Sequence, residues 1–182
     1  MNLLKNTASI YADGGVIGRN PSEDGGTYAF WFLDGDGNEI YADGGYVLPA
    51  NGNAPEGANW WKCEHTSITN NVTELAAVVF ALQQLPAGFK GTLHSDSYVT
   101  LCRMKNAKPR WVGVPDELKA ATLIEKERHP EITYVLLDGH PNKDQLAAGI
   151  GKRGNPCSAW NVACDKRCGE LAKAFTSCKG SS

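Results

Sequence analysis

The chain has 182 residues, 42% of them hydrophobic and 21% charged, with a formal net charge of −2. Those values suit one globular domain with a real core and set aside a low-complexity or disordered chain. A near-neutral charge also sets aside tight binding to nucleic acid through a broadly basic face, so a nucleic-acid enzyme of this composition has to rely on metal ions and a local basic patch.

No apolar run approaches the length of a membrane span, so no membrane partner is expected. Residues 1–6 lack the long apolar core of a secretion signal, which makes a cytoplasmic location the expectation. The six cysteines, at 63, 102, 157, 164, 168 and 178, are then expected as thiols, and no CxxC pair marks a structural zinc site. Residues 1–182 read as a single domain.

In chain order, residues 7–13 read as a strand and residues 16–26 as a Gly/Asn/Pro/Ser turn. Residues 27–33, Thr-Tyr-Ala-Phe-Trp-Phe-Leu, form an aromatic second strand. Asp34-Gly35-Asp36-Gly37-Asn38 is a hairpin turn into a third strand at 39–47, completing an antiparallel meander. Residues 48–67, rich in Pro, Gly and Asn, read as a long loop, an insertion or a functional flap. The best helix covers 72–85, where Leu75, Val78, Val79, Leu82 and Leu85 make an apolar stripe before Pro86 and Gly88.

A short strand at 91–95 leads into Asp96. Helices follow at 97–106 and 115–128, and a fifth strand at 132–137 ends in Asp138-Gly139-His140. Residues 141–160 are a Gly/Asn/Lys-rich segment, and a last helix at 161–175 carries Asp165. The order β-β-β-α-β-α-(α)-β-α predicts a five-stranded mixed sheet with helices on its faces and functional groups at strand ends and helix starts.

Four acids occupy such positions: Asp13, Glu74, Asp96 and Asp165. Brought together, they could not all stay ionised without cations between them, and oxygen-rich sites of that kind suit Mg²⁺ or Mn²⁺. Each has an ordinary alternative. Asp13-Gly14-Gly15 is good turn chemistry, and Tyr-Ala-Asp-Gly-Gly recurs around Asp43. Glu74 stands where a capping-box acid belongs if Asn71 is the N-cap. However, it shares a helical face with Val78, Ala81 and Leu85, where an unpartnered charge is costly. Asp96 could cap the helix after it, and Asp165 could be a surface ion pair worth little. His140, as a lone histidine after a strand, suits a structural role; His65, His94 and His129 show no partner pattern.

Taken together these segments resemble type 1 ribonuclease H. The matching pieces are Asp13-Gly14-Gly15-Val16-Ile17-Gly18-Arg19-Asn20-Pro21, Thr69-Asn70-Asn71-Val72-Thr73-Glu74-Leu75, Ser95-Asp96-Ser97, Gly139-His140, and Cys164-Asp165 with Leu171-Ala172 beyond. The resemblance spans nearly the whole chain and selects Asp13 over Asp43.

It implies an α/β ribonuclease H-like fold and an endonuclease, working as a monomer, that cuts the RNA strand of RNA–DNA hybrids. The products carry 5′-phosphate and 3′-hydroxyl ends. The resemblance also implies two Mg²⁺ ions, replaceable by Mn²⁺, bridged by Asp13. Glu74 and Asp96 complete one metal site and Asp165 the other. His140 moves a proton or helps product leave. Asn20, Thr69, Asn70, Asn71 and Ser97 are placed at the nucleic acid, with RNA told from DNA by its 2′-hydroxyls.

The broader alternatives are a DNA exonuclease or junction resolvase of the same fold, or a non-catalytic hybrid-binding module. Proofreading-type exonucleases carry Asp-x-Glu on the first strand, where this chain has Asp13-Gly14-Gly15. The chain also departs from the family pattern in two places. The segment between His140 and Asp165 is long. The basic, Trp-bearing handle after the third helix is missing, with Lys105, Lys108, Arg110 and Trp111 remaining nearby. Residues 141–160, with Lys143, Lys152 and Arg153, are read either as a flexible flap that closes over the substrate backbone or as a tolerated surface insertion.

Overall fold

The computed structural model describes residues 3–180; Met1 and Asn2, part of the stretch read for a secretion signal, lie outside the described residues. After a 3₁₀ turn at Leu3–Asn6 come strands β1 (Ser9–Val16), β2 (Gly26–Leu33), β3 (Glu39–Leu48) and β4 (Trp60–Lys62). Helix α1 (Asn70–Gln83), strand β5 (Thr92–Ser95) and helices α2 (Tyr98–Lys105) and α3 (Asp116–Arg128) follow. Strand β6 (Thr133–Leu136) and helices α4 (Lys143–Ala148) and α5 (Ala159–Lys179) complete the fold. Among the described residues no helix is long and apolar enough to cross a membrane.

The strands form one mixed sheet in the order β4-β3-β2-β1-β5-β6. β1, β2 and β3 are the antiparallel meander, while β5 and β6 extend β1 in parallel. The sheet has six strands, not the five expected, because Trp60–Lys62 adds in parallel to the outer edge of β3. Three residues are too few to show a period-2 pattern, so only the free edge of β3 could reveal this strand.

β2 is covered on both sides, which is why it reads as a continuous apolar run rather than an alternating one. Tyr28, Phe30 and Phe32 point into the main core with Ile10, Leu75, Val78, Leu82, Leu93 and Leu118. Ala29 faces the other way, onto Cys164 and Cys168 of α5. Further along, Tyr46 and Leu48 meet Leu171 and Phe175, and the Tyr46 hydroxyl donates to the Leu171 carbonyl at 2.7 Å. Thus α1, α2 and α3 contribute to one face and α5 covers the other. No disulfide joins the six cysteines. Burial pushes the Cys168 thiol up to about 12, so it stays an inert, protonated part of the core.

Three further local expectations are corrected. β1 continues to Val16, so Asp13 lies inside the strand opposite Ala29 rather than at its end. The cap of α1 is Thr69, whose hydroxyl accepts from the Val72 N–H, not Asn71; Glu74 is therefore not a capping-box acid. The segment 141–160 is not an irregular run. It contains α4, closed by a capping box in which Asn142 and Gln145 bond each other's backbone N–H at 2.9 Å, and an Ile150↔Pro156 bridge. The Asn-x-x-Gln signature was in the sequence, masked by the glycines around it.

Candidate metal centre

Asp13, Glu74 and Asp96 each offer a carboxylate oxygen, and the three oxygens lie within 4.8 Å of one another. They arrive from the middle of β1, the second turn of α1 and the residue after β5. Close backbone contact brings them together. A Cβ on Gly14 would sit 2.3 Å from the Thr73 carbonyl carbon and 2.6 Å from the Glu74 nitrogen, so only glycine lets α1 rest on β1 here. A Cβ on Gly139 would sit 2.3 Å from Asp96 Oδ2, so the chain beyond β6 packs against the side chain of the third carboxylate.

Asp13 is only 7% exposed. Burial pushes its carboxyl well above the ordinary aspartate range and the Asp96 charge adds to this; the Gly14 N–H pulls against it, and Glu74 and Asp165 repel it further. Glu74 is also raised, first by burial and then by Asp96, against the lowering effects of the Ser97 hydroxyl, the Arg103 charge and the Asn70 amide. The Asn70 amide donates to Glu74 Oε1 at 2.6 Å. Two carboxyls lifted by burial and mutual repulsion, in an all-oxygen donor set, fit a hard divalent cation such as Mg²⁺ or Mn²⁺.

Asp165 stands outside this tight group, exposed in the second turn of α5, with its charge still felt at Asp13. His140 is brought to it across the long intervening segment: Nδ1 lies 3.7 Å from Asp165 Oδ2. His140 has a φ of 51°, in the left-handed region that L side chains seldom adopt, and sparsely populated backbone of this kind concentrates at functional sites.

The remaining site residues divide between surface and interior. Asn71 and Asn20 are exposed and Thr69 and Asn70 half-buried; Asn20 Oδ1 accepts from the Asn70 N–H at 3.1 Å, fastening the β1–β2 turn to the start of α1. Ser97 is buried, where it caps α2 and bonds the Thr100 hydroxyl at 3.0 Å, so it supports the site from within instead of lining a surface. Lys152 and Arg153 are exposed and share a cavity of about 310 Å³ with Glu74, Asp96, Asp138, Gly139 and His140. Asp43, in the second Tyr-Ala-Asp-Gly-Gly, lies on β3 opposite Phe30. It is engaged by the Tyr41 hydroxyl at 3.1 Å and the Asn59 amide at 3.0 Å, outside the carboxylate cluster.

Three residues near the centre were not singled out by the sequence. Asn161, buried at the start of α5, donates to Asp96 Oδ2 at 3.2 Å. Arg103 on α2 is 6% exposed and donates to the carbonyls of Arg110 and Val112 at 3.3 and 3.4 Å. Its charge opposes that of Glu74. Asp138, after β6, is buried and takes hydrogen bonds from Arg153 and Asn155. Only the spacing of Arg103 among Thr100, Leu101 and Met104, a buried helical face, could have pointed to it. His94 and His129 prove structural: His94 stacks on Tyr11 at 4.2 Å, and His129 is buried beside Glu125.

No protein-family model matches the chain, and no curated protein does. Solved structures do. Ribonuclease H1 from the halophilic archaeon Halobacterium salinarum NRC-1 matches with a TM-score of 0.52 at 17% identity, over 72% of this chain and 85% of that one. The N-terminal ribonuclease H domain of rv2228c from Mycobacterium tuberculosis matches at 0.57 with 15% identity, over 95% of this chain and 99% of that one. LC11-RNase H1, solved in complex with an RNA/DNA hybrid, matches at 0.50 with 22% identity, over 87% and 97%. The mixed sheet with helices on both faces matches these structures in fold, and the chain has the ribonuclease H-like fold.

Proposed function

We propose that this chain is a divalent-metal-dependent endoribonuclease that cuts the RNA strand of RNA–DNA hybrids and leaves 5′-phosphate and 3′-hydroxyl ends. The observation that carries the reading is the convergence of Asp13, Glu74 and Asp96 within 4.8 Å in a ribonuclease H-like fold. A structural match determined with an RNA/DNA hybrid supports the substrate class.

Asp13, Glu74 and Asp96 would hold one divalent cation, with Asp13 and Asp165 available to a second. Such ions supply a nucleophilic water at neutral pH and charge stabilisation at the leaving oxygen. The protein's own residues set the geometry. Asn161 donates to Asp96 and Gly139 packs against it, while Asn70 donates to Glu74 and Arg103 lends it an opposing charge. His140, exposed beside Asp165, would exchange a proton with departing product. Asn20, Thr69, Asn70 and Asn71 form a polar ledge at the start of α1 for the sugar–phosphate backbone, where the RNA 2′-hydroxyl is the group that separates hybrid from DNA.

The test is one assay with three end-labelled substrates, an RNA–DNA hybrid, duplex DNA and a four-way junction, each with Mg²⁺ or Mn²⁺. Cleavage confined to the RNA strand of the hybrid, and abolished in Asp96→Asn with hybrid binding retained, is the expected result. Folded protein that cuts only DNA substrates moves the reading to the DNA nucleases. Cleavage of nothing, with Asp96→Asn indistinguishable from wild type, leaves a binding module.

A further inference from the structure

The cavity beside the carboxylates is lined by groups of opposite demand. Glu74 and Asp96 in its lining call for cations; Lys152 and Arg153 call for an anion. The two basic residues are the tip of a tight turn. The Gly151 N–H bonds the Asn155 carbonyl at 2.9 Å, and the Gly154 N–H bonds the Gly151 carbonyl at 3.1 Å.

Asp138 holds this turn. It is 3% exposed, and its backbone N–H donates to the Pro156 carbonyl at 2.8 Å. Its carboxylate accepts from the Arg153 backbone N–H at 2.6 Å, from Arg153 Nε at 3.0 Å and from the Asn155 amide at 2.9 Å. Gly151 is pressed so closely on it that a Cβ there would lie 2.2 Å from Asp138 Cβ. Burial works against an ionised Asp138, but the hydrogen bonds from Asn155 and Arg153 and the Arg153 charge outweigh it and hold the carboxyl below the usual range.

A guanidinium is planar with donors on two edges. Using Nε on Asp138 leaves Nη1 and Nη2 of Arg153 without a protein partner among the described residues. The side chain is fixed at its base and open at its tip, so binding a phosphate there orders little that is not already ordered.

Resting on the hybrid-nuclease reading above, we propose that Arg153 is a phosphate-contacting residue of this site and that Asp138 is the positioning residue that presents it. A phosphodiester occupying the cavity would lie near both the carboxylates that would hold the cations and the Arg153 fork. The segment 141–157 acts as a rigid bracket, not as a flap that closes.

The experiment pairs steady-state cleavage of a labelled hybrid in Mg²⁺ with fluorescence-anisotropy binding of the same hybrid in EDTA over a range of NaCl. Arg153→Ala should raise KM about tenfold, with kcat changed far less, and make the log–log salt slope of binding shallower by about one. Asp138→Asn should reproduce that KM and slope, and the double variant should be no worse than Arg153→Ala alone. A purely structural Asp138 would lower Tm without moving the salt slope. Because Asp138→Asn bears on a buried group, Arg153→Lys provides the second measure. It keeps the charge but loses the planar fork that spans Asp138 and phosphate along separate edges, so it should recover only part of the loss. Full recovery by lysine, or additive Asp138 and Arg153 effects, overturns the positioning role. Wild-type KM and salt slope in Arg153→Ala overturn the contact itself. A wild type that cuts no hybrid, but whose EDTA binding depends on Arg153 as stated, refutes the activity reading and upholds the bracket.

Discussion

Asp13→Asn should make the metal-free protein more stable while destroying its metal site. The ligand oxygens of Asp13, Glu74 and Asp96 lie within 4.8 Å of one another. At an effective dielectric of 20, each pair of full charges at that separation repels by roughly 3 kcal/mol. Asp13 belongs to two such pairs. The repulsion is not fully expressed, because burial and its neighbours push the Asp13 carboxyl up and part of the population carries a proton instead of a charge. We therefore expect a gain of about 1–3 kcal/mol at pH 7.5 in EDTA, a rise in Tm of about 2–10 °C for a chain of this size. The asparagine oxygen can still accept the Gly14 N–H, which bonds Asp13 Oδ1 at 2.8 Å, so the backbone loses nothing. Thermal melts by circular dichroism in EDTA and in saturating Mn²⁺ provide the check. The order should invert with metal, since only the wild type retains the full donor set and gains stability by binding. A folded Asp13→Asn that melts at or below wild type in EDTA, and responds equally to Mn²⁺, would refute the idea that these carboxylates form a repelling metal site.

The same variant carries a pH signature. Asp13 has a folded-state carboxyl above its unfolded value of 3.8, so the native state holds the extra proton and loses stability as pH rises through that window. In metal-free melts the advantage of Asp13→Asn over wild type should grow from pH 4 upward, and a gap that shrinks would contradict the sign. Gly14→Ala should lower stability by about 1–3 kcal/mol, because its methyl meets the Thr73 backbone at 2.3 Å and α1 must shift; unchanged Tm and cleavage would show that α1 does not rest on β1 as described. Arg103→Met removes the donors to the Arg110 and Val112 carbonyls, at a cost of about 1–3 kcal/mol. It also takes an opposing charge from Glu74, so the acidic limb of the pH–rate profile should move to higher pH. An acidic limb left in place would separate Arg103 from the metal site.

Apart from β4 and α4, the element order was legible from local chemistry alone. The β2 aromatic run, the α1 stripe ending at Pro86 and Gly88, and the turn at residues 34–38 each carry a period or a breaker within a few residues. Asp13, Glu74 and Asp96, the acids that the fold gathers, were legible from residue type and their order along the chain. What only tertiary structure decided is of longer range. β4 exists because β3 offers it an edge, and Thr69 rather than Asn71 caps α1. Asp13 lies inside its strand, joined by Glu74 where Gly14 permits close backbone approach and by Asp96 beside Gly139. Asp165 lies outside that group, yet within 3.7 Å of His140. Asn161, Arg103 and Asp138 were invisible because an ordinary Asn, Arg or Asp becomes significant only through what is folded against it. Periodicity is a property of neighbours in the chain and can be read there, whereas burial of a charge and the partner that makes it tolerable are properties of neighbours in space.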